Sequence, residues 1–370
     1  SRYSTKDWMS METSDGRRER VQVSSWMQWF VGASEQDVID KKAFFIDDKG
    51  NLINHKTGKL WPMGTFECPS IASLRQLVHR LPATRLADKL GDFAIQVIDG
   101  TDIADLQASL KTEQRAMVQI ASNFHCLENG SPHFAADDGD LVSGYATDST
   151  QGPAAAFGVP AASLLRAHYV FKAEKVPEDQ WGQSADRQVN LIEDICKERY
   201  CGKCVNGKAL LMGREKTVTA ALLNNVSGMV KVGLHSDAQV VFQRGGSDVV
   251  IEAVADPQLV DQVCSATLCY GYVECAARPA PTPEQLESLA RACLRAAYEG
   301  AYLAAIQRER KILLLTLIGG ASFRNPMNVI LEELKRAHEK YAKHPASQLE
   351  EVYLVLYDRG VKRAFENAIA

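Results

Sequence analysis

The sequence has no apolar run long enough to cross a bilayer. Its longest candidate, Lys311-Ile-Leu-Leu-Leu-Thr-Leu-Ile318, is the length of a strand, so no membrane partner is expected. A basic excess is also lacking: 42 Lys and Arg stand against 46 Asp and Glu, for a formal net charge of −4. Binding nucleic acid by neutralising phosphates requires a basic face, so that partner is not expected either. The N-terminal stretch lacks the positive–apolar–small pattern of a secretion signal. The nine cysteines are odd in number and scattered, which fits reduced thiols in a cytoplasmic or nuclear compartment better than a disulfide framework. No Gly-x-Ser-x-Gly elbow and no convincing Cys–His arrangement is present, which argues against a Ser or Cys nucleophile. Internal repeats are absent.

What is present is an alternation of strands and helices. Residues 1–60 read as an N-terminal extension, largely a polar arm, whose Trp26, Trp29 and Phe30 dock on the main body, residues 61–370. A helix is expected over Ser70–Val78, and strands at Phe93-Ala-Ile-Gln-Val-Ile98 and Ala116–Ala121. Pro153–Val170 reads as an Ala-rich helix, with further strands at Ala209–Met212, Lys231–Leu234 and Ala238–Phe242. Thr282, Pro283 and Gln285 form a capping-box pattern that opens a long helix running to about Arg310. A strand (Lys311–Ile318), a helix (Asn325–Tyr341), a strand (Glu351–Tyr357) and a last helix (Gly360–Ile369) complete the chain. Such alternation predicts an α/β fold of three layers, α/β/α, with a central mixed sheet.

The sharpest chemical signal is Leu317-Ile-Gly-Gly-Ala-Ser-Phe-Arg-Asn-Pro326. An apolar strand ends in two glycines, and Asn325 and Pro326 suit the N-cap and first position of the next helix. Glycines let backbone approach a ligand, and a helix N-terminus favours an anion, which is what a diphosphate needs.

This ending resembles that of macrodomains, the ADP-ribose-binding family, in which a Gly-rich turn carrying a Phe precedes a helix, a strand and a last helix. By resemblance Gly319, Gly320, Ala321, Ser322 and Phe323 contact the diphosphate and proximal ribose, with Asp358 at the end of the following strand. Val97-Ile-Asp-Gly-Thr-Asp-Ile103 is similar to the segment whose Asp holds the adenine amino group. Asp102 matches it, with Asp99 as the alternative register. Val118-Gln-Ile-Ala-Ser-Asn-Phe124 resembles the strand whose terminal Asn binds the distal ribose, which places that role on Asn123.

Beyond Asn123 the sequence departs from the common hydrolytic pattern. A glycine run is replaced by His125-Cys-Leu-Glu and an acidic loop, Asp137-Asp-Gly-Asp140, before Asp148-Ser-Thr-Gln-Gly-Pro153. The paired glutamates of poly(ADP-ribose) glycohydrolases are missing. With Gln188-Val-Asn-Leu191 and Leu234-His-Ser-Asp-Ala-Gln-Val240, the chain looks more like a divergent branch that includes hydrolases of ADP-ribosyl-arginine, some acting on ubiquitin.

Cleaving that N-glycoside develops oxocarbenium character, which carboxylates can stabilise while also activating water or clamping the guanidinium. Asp138, Asp140 and Asp148 are the candidates, with Asn123 positioning the ribose. Gln151 and Gly152, opening a helix, are candidates for the other phosphate-contacting turn. The expected function is removal of mono-ADP-ribose from arginine on modified proteins, with ADP-ribose as ligand and no cofactor or metal. The alternatives are a non-catalytic reader and a hydrolase of small derivatives such as O-acetyl-ADP-ribose. Cys196-Lys-Glu-Arg-Tyr-Cys201-Gly-Lys-Cys204 has knuckle-like spacing, but a zinc site would need His168 or a distant Cys as fourth ligand, so free thiols are expected. Cys264, Cys269, Cys275 and Cys293 read as core residues, and His235 as a structural histidine.

Overall fold

A computed structural model describes residues 19–40, 46–83, 94–246, 249–270 and 280–369. Phe93, at the start of one expected strand, and Cys275 lie outside them. The strands are β1 (Glu19–Gln22), β2 (Asn51–Ile53), β3 (Leu60–Pro62), β4 (Thr65–Glu67), β5 (Gln96–Ile98), β6 (Ala116–Ala121), β7 (Lys203–Val205), β8 (Lys208–Leu210), β9 (Gly233–Gln243), β10 (Val250–Ser265), β11 (Ile312–Leu315) and β12 (Glu351–Val355).

The main sheet runs β4-β9-β10-β6-β11-β12-β5, and β1 pairs with β10. From β10 through β6, β11 and β12 to β5 every pairing is parallel. The pairings of β9 with β10, β4 with β9 and β1 with β10 are antiparallel. The sheet is therefore mixed, as the sequence implied. All four residues of β11 are buried, which is how a strand covered on both faces reads.

Two glutamines show what covers those faces. Gln119 on β6 donates from Nε2 to Ala297 O of the helix Pro283–Gln307 at 3.1 Å. Gln262 on β10 is in register with Val118, the neighbour of Gln119, and so points to the other face. There it donates to Ala155 O of the helix Gln151–Gly158 at 3.0 Å and to Gln107 Oε1 of the helix Ile103–Ser109 at 2.7 Å. Helices on both sides give the expected three layers.

The first described residues are built into this body. Trp26 packs edge-on against Phe157 and Phe242, with ring centres 5.8 and 5.7 Å away. Glu35 accepts from the backbone of Val142 and Ser143 at 3.0 and 2.7 Å and contacts His168 Nε2 at 2.8 Å. β1 extends the main sheet, and the expected boundary at 60/61 falls inside β3.

Several elements differ from the sequence reading. β10, the longest strand, was not expected: Asp256 and Pro257 interrupt its pattern, and its register to β9 shifts between Ala253 and Gln258. The two strands expected over 231–242 are one, β9, kinked at Asp237 with φ of 57°. The helix expected over 153–170 breaks at Val159, because Pro160 disfavours helical backbone in the residue before it. Asn325 does not cap a helix. The helix Met327–Tyr341 starts after Pro326, and Asn325 is buried, donating to Leu268 O at 2.8 Å and accepting from Thr267 Oγ1 at 3.2 Å. Its amide braces the glycine turn to the end of β10. By contrast, Thr282 and Gln285 form the expected capping box.

Candidate active site

The parallel strands end at one edge of the sheet, where open α/β sheets keep their binding crevices. A cavity of about 480 Å³ lies there. Its wall takes Thr101 and Ile103 after β5, Ala121 and Ser122 at the end of β6, and Thr267 after β10. Residues 316–323 after β11 and 355–358 at the end of β12 complete that side. The segment 149–153, Glu128, Met327, Val361 and Phe365 close it.

Eight of the expected ligand-binding residues meet here: Gln151, Gly152, Gly319, Gly320, Ala321, Ser322, Phe323 and Asp358. The glycine turn is suited to an anion. Among the described residues, the N–H groups of Gly319, Ala321, Ser322 and Phe323 have no acceptor, and Gly319 sits at φ of 72°. Opposite, the N–H groups of Gln151 and Gly152 at the start of their helix are also unpaired among the described residues. The Gln151 side chain is itself committed to structure. Its Oε1 accepts from Ala121 N, and its Nε2 donates to Gln119 O, both at 2.8 Å, so it continues the edge of β6 like a short strand. Gly152 presses against that strand end: a Cβ would overlap Ala121 O and stand 2.8 Å from Glu128 Cδ.

The remaining expected residues lie outside the cavity wall. Asp102 caps its helix, accepting from Ala104 N at 2.8 Å, and pairs with Arg244 at 3.5 Å, while its neighbours Thr101 and Ile103 line the cavity. Asp99 accepts from Lys362 N at 3.0 Å. Asp137 is exposed. Asp138 is exposed and accepts from Ala135 N at 2.7 Å. Asp140, at φ of 53°, accepts from Ser143 Oγ at 3.3 Å. Asp148 accepts from Thr150 N and Oγ1 at 2.9 and 2.6 Å, which sets the turn into the cavity-lining segment. Asn123 is fully buried behind the wall, with its Nδ2 donating to Asn129 Oδ1 at 2.8 Å and its Oδ1 accepting from Lys208 Nζ.

The sequence reading passed over two residues that join this cluster. Lys208 on β8 is buried and also donates to Asn129 O at 3.0 Å. Its ammonium lies 4.5 Å from the centre of the Phe323 ring. Burial holds Lys208 below the usual lysine range, opposed by the charge of Glu128. Glu128 is the one carboxylate of this cluster on the cavity wall, beside Gly152. Burial pushes its carboxyl up to about 8, with Lys208 opposing the rise and Asp148 and Cys264 adding to it. Its own backbone N–H donates to Tyr145 Oη at 2.9 Å. The signal available in the sequence was an acidic residue closely following a strand end and the apolar stretch Phe124–Leu127.

His125 beside this cluster is buried and neutral: burial, with Lys208, pushes its imidazole down to about 3. Among the described residues no group of three or more His, Cys, Asp or Glu is arranged to hold a metal ion. Cys196, Cys201 and Cys204 are free thiols, and His168 is committed to Glu35. No described helix is long and apolar enough to cross a membrane.

The chain is thus an α/β protein with an anion-suited crevice at the carboxyl edge of a mixed sheet. Neither a protein-family model nor a curated protein sequence matches it. Among solved structures it is similar to poly(ADP-ribose) glycohydrolase from Deinococcus radiodurans in complex with ADP-ribose, at 14% identity and a TM-score of 0.42 over 82% of this chain and 92% of that one. It is also similar to poly(ADP-ribose) glycohydrolase from Thermomonospora curvata, at 13% identity and a TM-score of 0.43 over 90% of this chain and 97% of that one.

Proposed function

We propose that the chain hydrolyses the N-glycosidic bond between ADP-ribose and arginine on mono-ADP-ribosylated proteins, ubiquitin among the candidate targets. The observation that carries this reading is Glu128, a carboxyl group with its pKa moved to about 8, on the wall of a cavity bounded by two anion-suited turns. A group titrating near working pH carries protons efficiently in both directions.

In this reading the N–H groups of Gln151, Gly152 and the 319–323 turn take the diphosphate, and Phe323 packs on the proximal ribose. Thr101 and Asp358 lie where adenine would enter, and Asp102 acts only through the helix it caps. Arrival of a substrate guanidinium lowers the Glu128 pKa, as an opposite charge does. The electron pair of the C–N bond then leaves with the guanidine nitrogen, and water adds to the anomeric carbon. Glu128 accepts the proton released by that water and returns it to the guanidine, so the cycle is neutral in protons. Asn123 acts by fixing Lys208, and Asp148 by setting the turn and raising Glu128. Asp138 and Asp140, exposed and off the cavity wall, have no part in the bond cleavage in this reading.

The test is release of ADP-ribose from a protein modified on arginine, with poly(ADP-ribose), an acidic-residue-linked protein and O-acetyl-ADP-ribose alongside. Turnover of the arginine substrate, reduced about 10²–10⁴-fold in Glu128→Gln with ADP-ribose binding intact, is the expected result. Binding without turnover of any substrate would leave a reader. Turnover unaffected by Glu128→Gln would remove Glu128 from the mechanism.

A further inference from the structure

Two segments of the cavity wall are tied together from outside by one side chain. Arg244 directly follows β9, is 6% exposed and does not itself line the cavity. Its guanidinium lies between two turns. On one side Nε stands 3.5 Å from Asp102 Oδ2, a charge contact without hydrogen-bond geometry. On the other, Nη2 donates to Tyr145 O at 2.8 Å and to Asp148 O. The guanidinium carbon is also 5.6 Å from the centre of the Phe157 ring, which stacks on Phe242 at 5.3 Å.

These contacts fall just behind residues of the wall. Asp102 stands between Thr101 and Ile103, both of which line the cavity, and its Oδ1 accepts from Ala104 N at 2.8 Å. Asp148 O belongs to the peptide group shared with Ser149, the first lining residue of the segment 149–153. Phe157 is on the helix Gln151–Gly158, whose start lies in that segment. The backbone of Arg244 is anchored as well. Its N–H and that of Gly245 donate to Asp105 Oδ1 at 2.7 and 3.0 Å, and Asp105 is in the first turn of the helix that Asp102 caps. The other carboxylates nearby are engaged elsewhere. Asp148 accepts from Thr150, and Glu252, beside Gly245, accepts from Gln243 Nε2 at 2.7 Å. Among the described residues, the one ion pair of Arg244 is with Asp102.

We propose that Arg244 is a positioning residue that clamps the Asp102 turn to the 145–149 turn. It thereby fixes the spacing between the place where adenine would enter, beside Thr101, and the N–H groups of Gln151 and Gly152. Arginine suits the task, because its planar, permanently charged fork serves a carboxylate and two carbonyls at once. A ligand that spans both sides gains from a preset spacing, since none of its binding energy is spent on ordering the walls. A ligand touching one side alone gains little. The clamp stands on the contacts themselves, and its effect on binding rests on the ADP-ribose reading of the cavity.

The experiment compares wild type with Arg244→Met and with Asp102→Asn, which keeps an acceptor for the cap but not the charge. Hydrogen exchange in the ligand-free protein reads the clamp. The Ala104 and Thr150 amides, bonded to the Asp102 and Asp148 carboxylates, are expected to exchange about 10-fold faster together in both variants. Faster exchange at one of them alone, or at neither, would overturn the proposal. Calorimetry with ADP-ribose, and NMR titration with adenosine and with pyrophosphate, read the consequence. ADP-ribose affinity is expected to fall about 10-fold in both variants, while each fragment stays within about 2-fold of wild type. Unchanged ADP-ribose affinity, or equal losses for ADP-ribose and both fragments, would overturn the positioning role. Should Arg244→Met fail to fold, Asp102→Asn carries both measurements. A wild type that does not bind ADP-ribose, with the two amides still responding together, would leave the clamp standing and remove the ADP-ribose reading.

Discussion

Lys208 and Phe323, which come from a β-ribbon and a glycine turn far apart in the chain, meet with the ammonium 4.5 Å from the ring centre. The contact joins the turn suited to phosphate to the cluster of Asn123, Asn129 and Glu128. Removing the ring in Phe323→Ala is expected to weaken ADP-ribose binding about 10-fold, as loss of one aromatic contact does. Calorimetry with free ADP-ribose measures it, and unchanged affinity would take Phe323 out of the ligand site.

Lys208→Met keeps the bulk of the side chain and removes its charge. Because Lys208 opposes the rise at Glu128, the Glu128 pKa moves further up in the variant. The rising limb of hydrolysis then shifts to higher pH by about 1 unit. A pH profile moving the other way would contradict the pairing.

Gly152 has no room for a methyl group, since a Cβ would overlap the Ala121 carbonyl and crowd Glu128. Gly152→Ala is therefore expected to lower stability by about 1–3 kcal/mol and to abolish ADP-ribose binding. Thermal unfolding and calorimetry read the two effects, and an ordinary melting temperature with full binding would refute the close approach.

The folded state holds the Glu128 proton up to about 8, whereas an unfolded glutamate loses it near 4.5. Its contribution to stability is therefore complete below about 4.5 and is lost as pH rises through about 8. Glu128→Gln lacks that dependence. Its melting temperature should gain on wild type as pH rises across this window, and parallel curves would show that the carboxyl titrates normally.

His125 and His235 behave in the opposite sense. Both are neutral when folded, pushed down to about 3, while unfolded histidines take up protons near 6.5. Stability is then lost as pH falls from about 6.5 toward 3. His235→Gln can keep a donor to Met63 O, and its melting temperature should fall less steeply over that range in scanning calorimetry. An identical slope would mean that His235 is protonated in the fold.

Much of the architecture was legible in local chemistry. β6 has the bounds its apolar run indicated, and the helix Pro283–Gln307 carries the cap written in Thr282 and Gln285. These signals are local: side-chain period, capping hydrogen bonds and glycine's tolerance of positive φ. The turn after β11 was readable for the same reason. β10 was not, because its β-bulges answer to neighbouring strands and hide its alternation.

The sequence by itself thus determined the strand–helix alternation around β6, β11 and β12, the glycine turn after β11, and the residue types available near it. Only the tertiary structure decided which of these carboxyl groups is enclosed at the cavity wall. Asp138 and Asp140 stand in solvent off the cavity wall, while Glu128 is enclosed between the Gly152 backbone and the field of Lys208, from β8. A carboxyl group's proton affinity is set by desolvation and by charges within a few ångströms. Those neighbours come from distant parts of the chain and exist only once the sheet has brought its strand ends together.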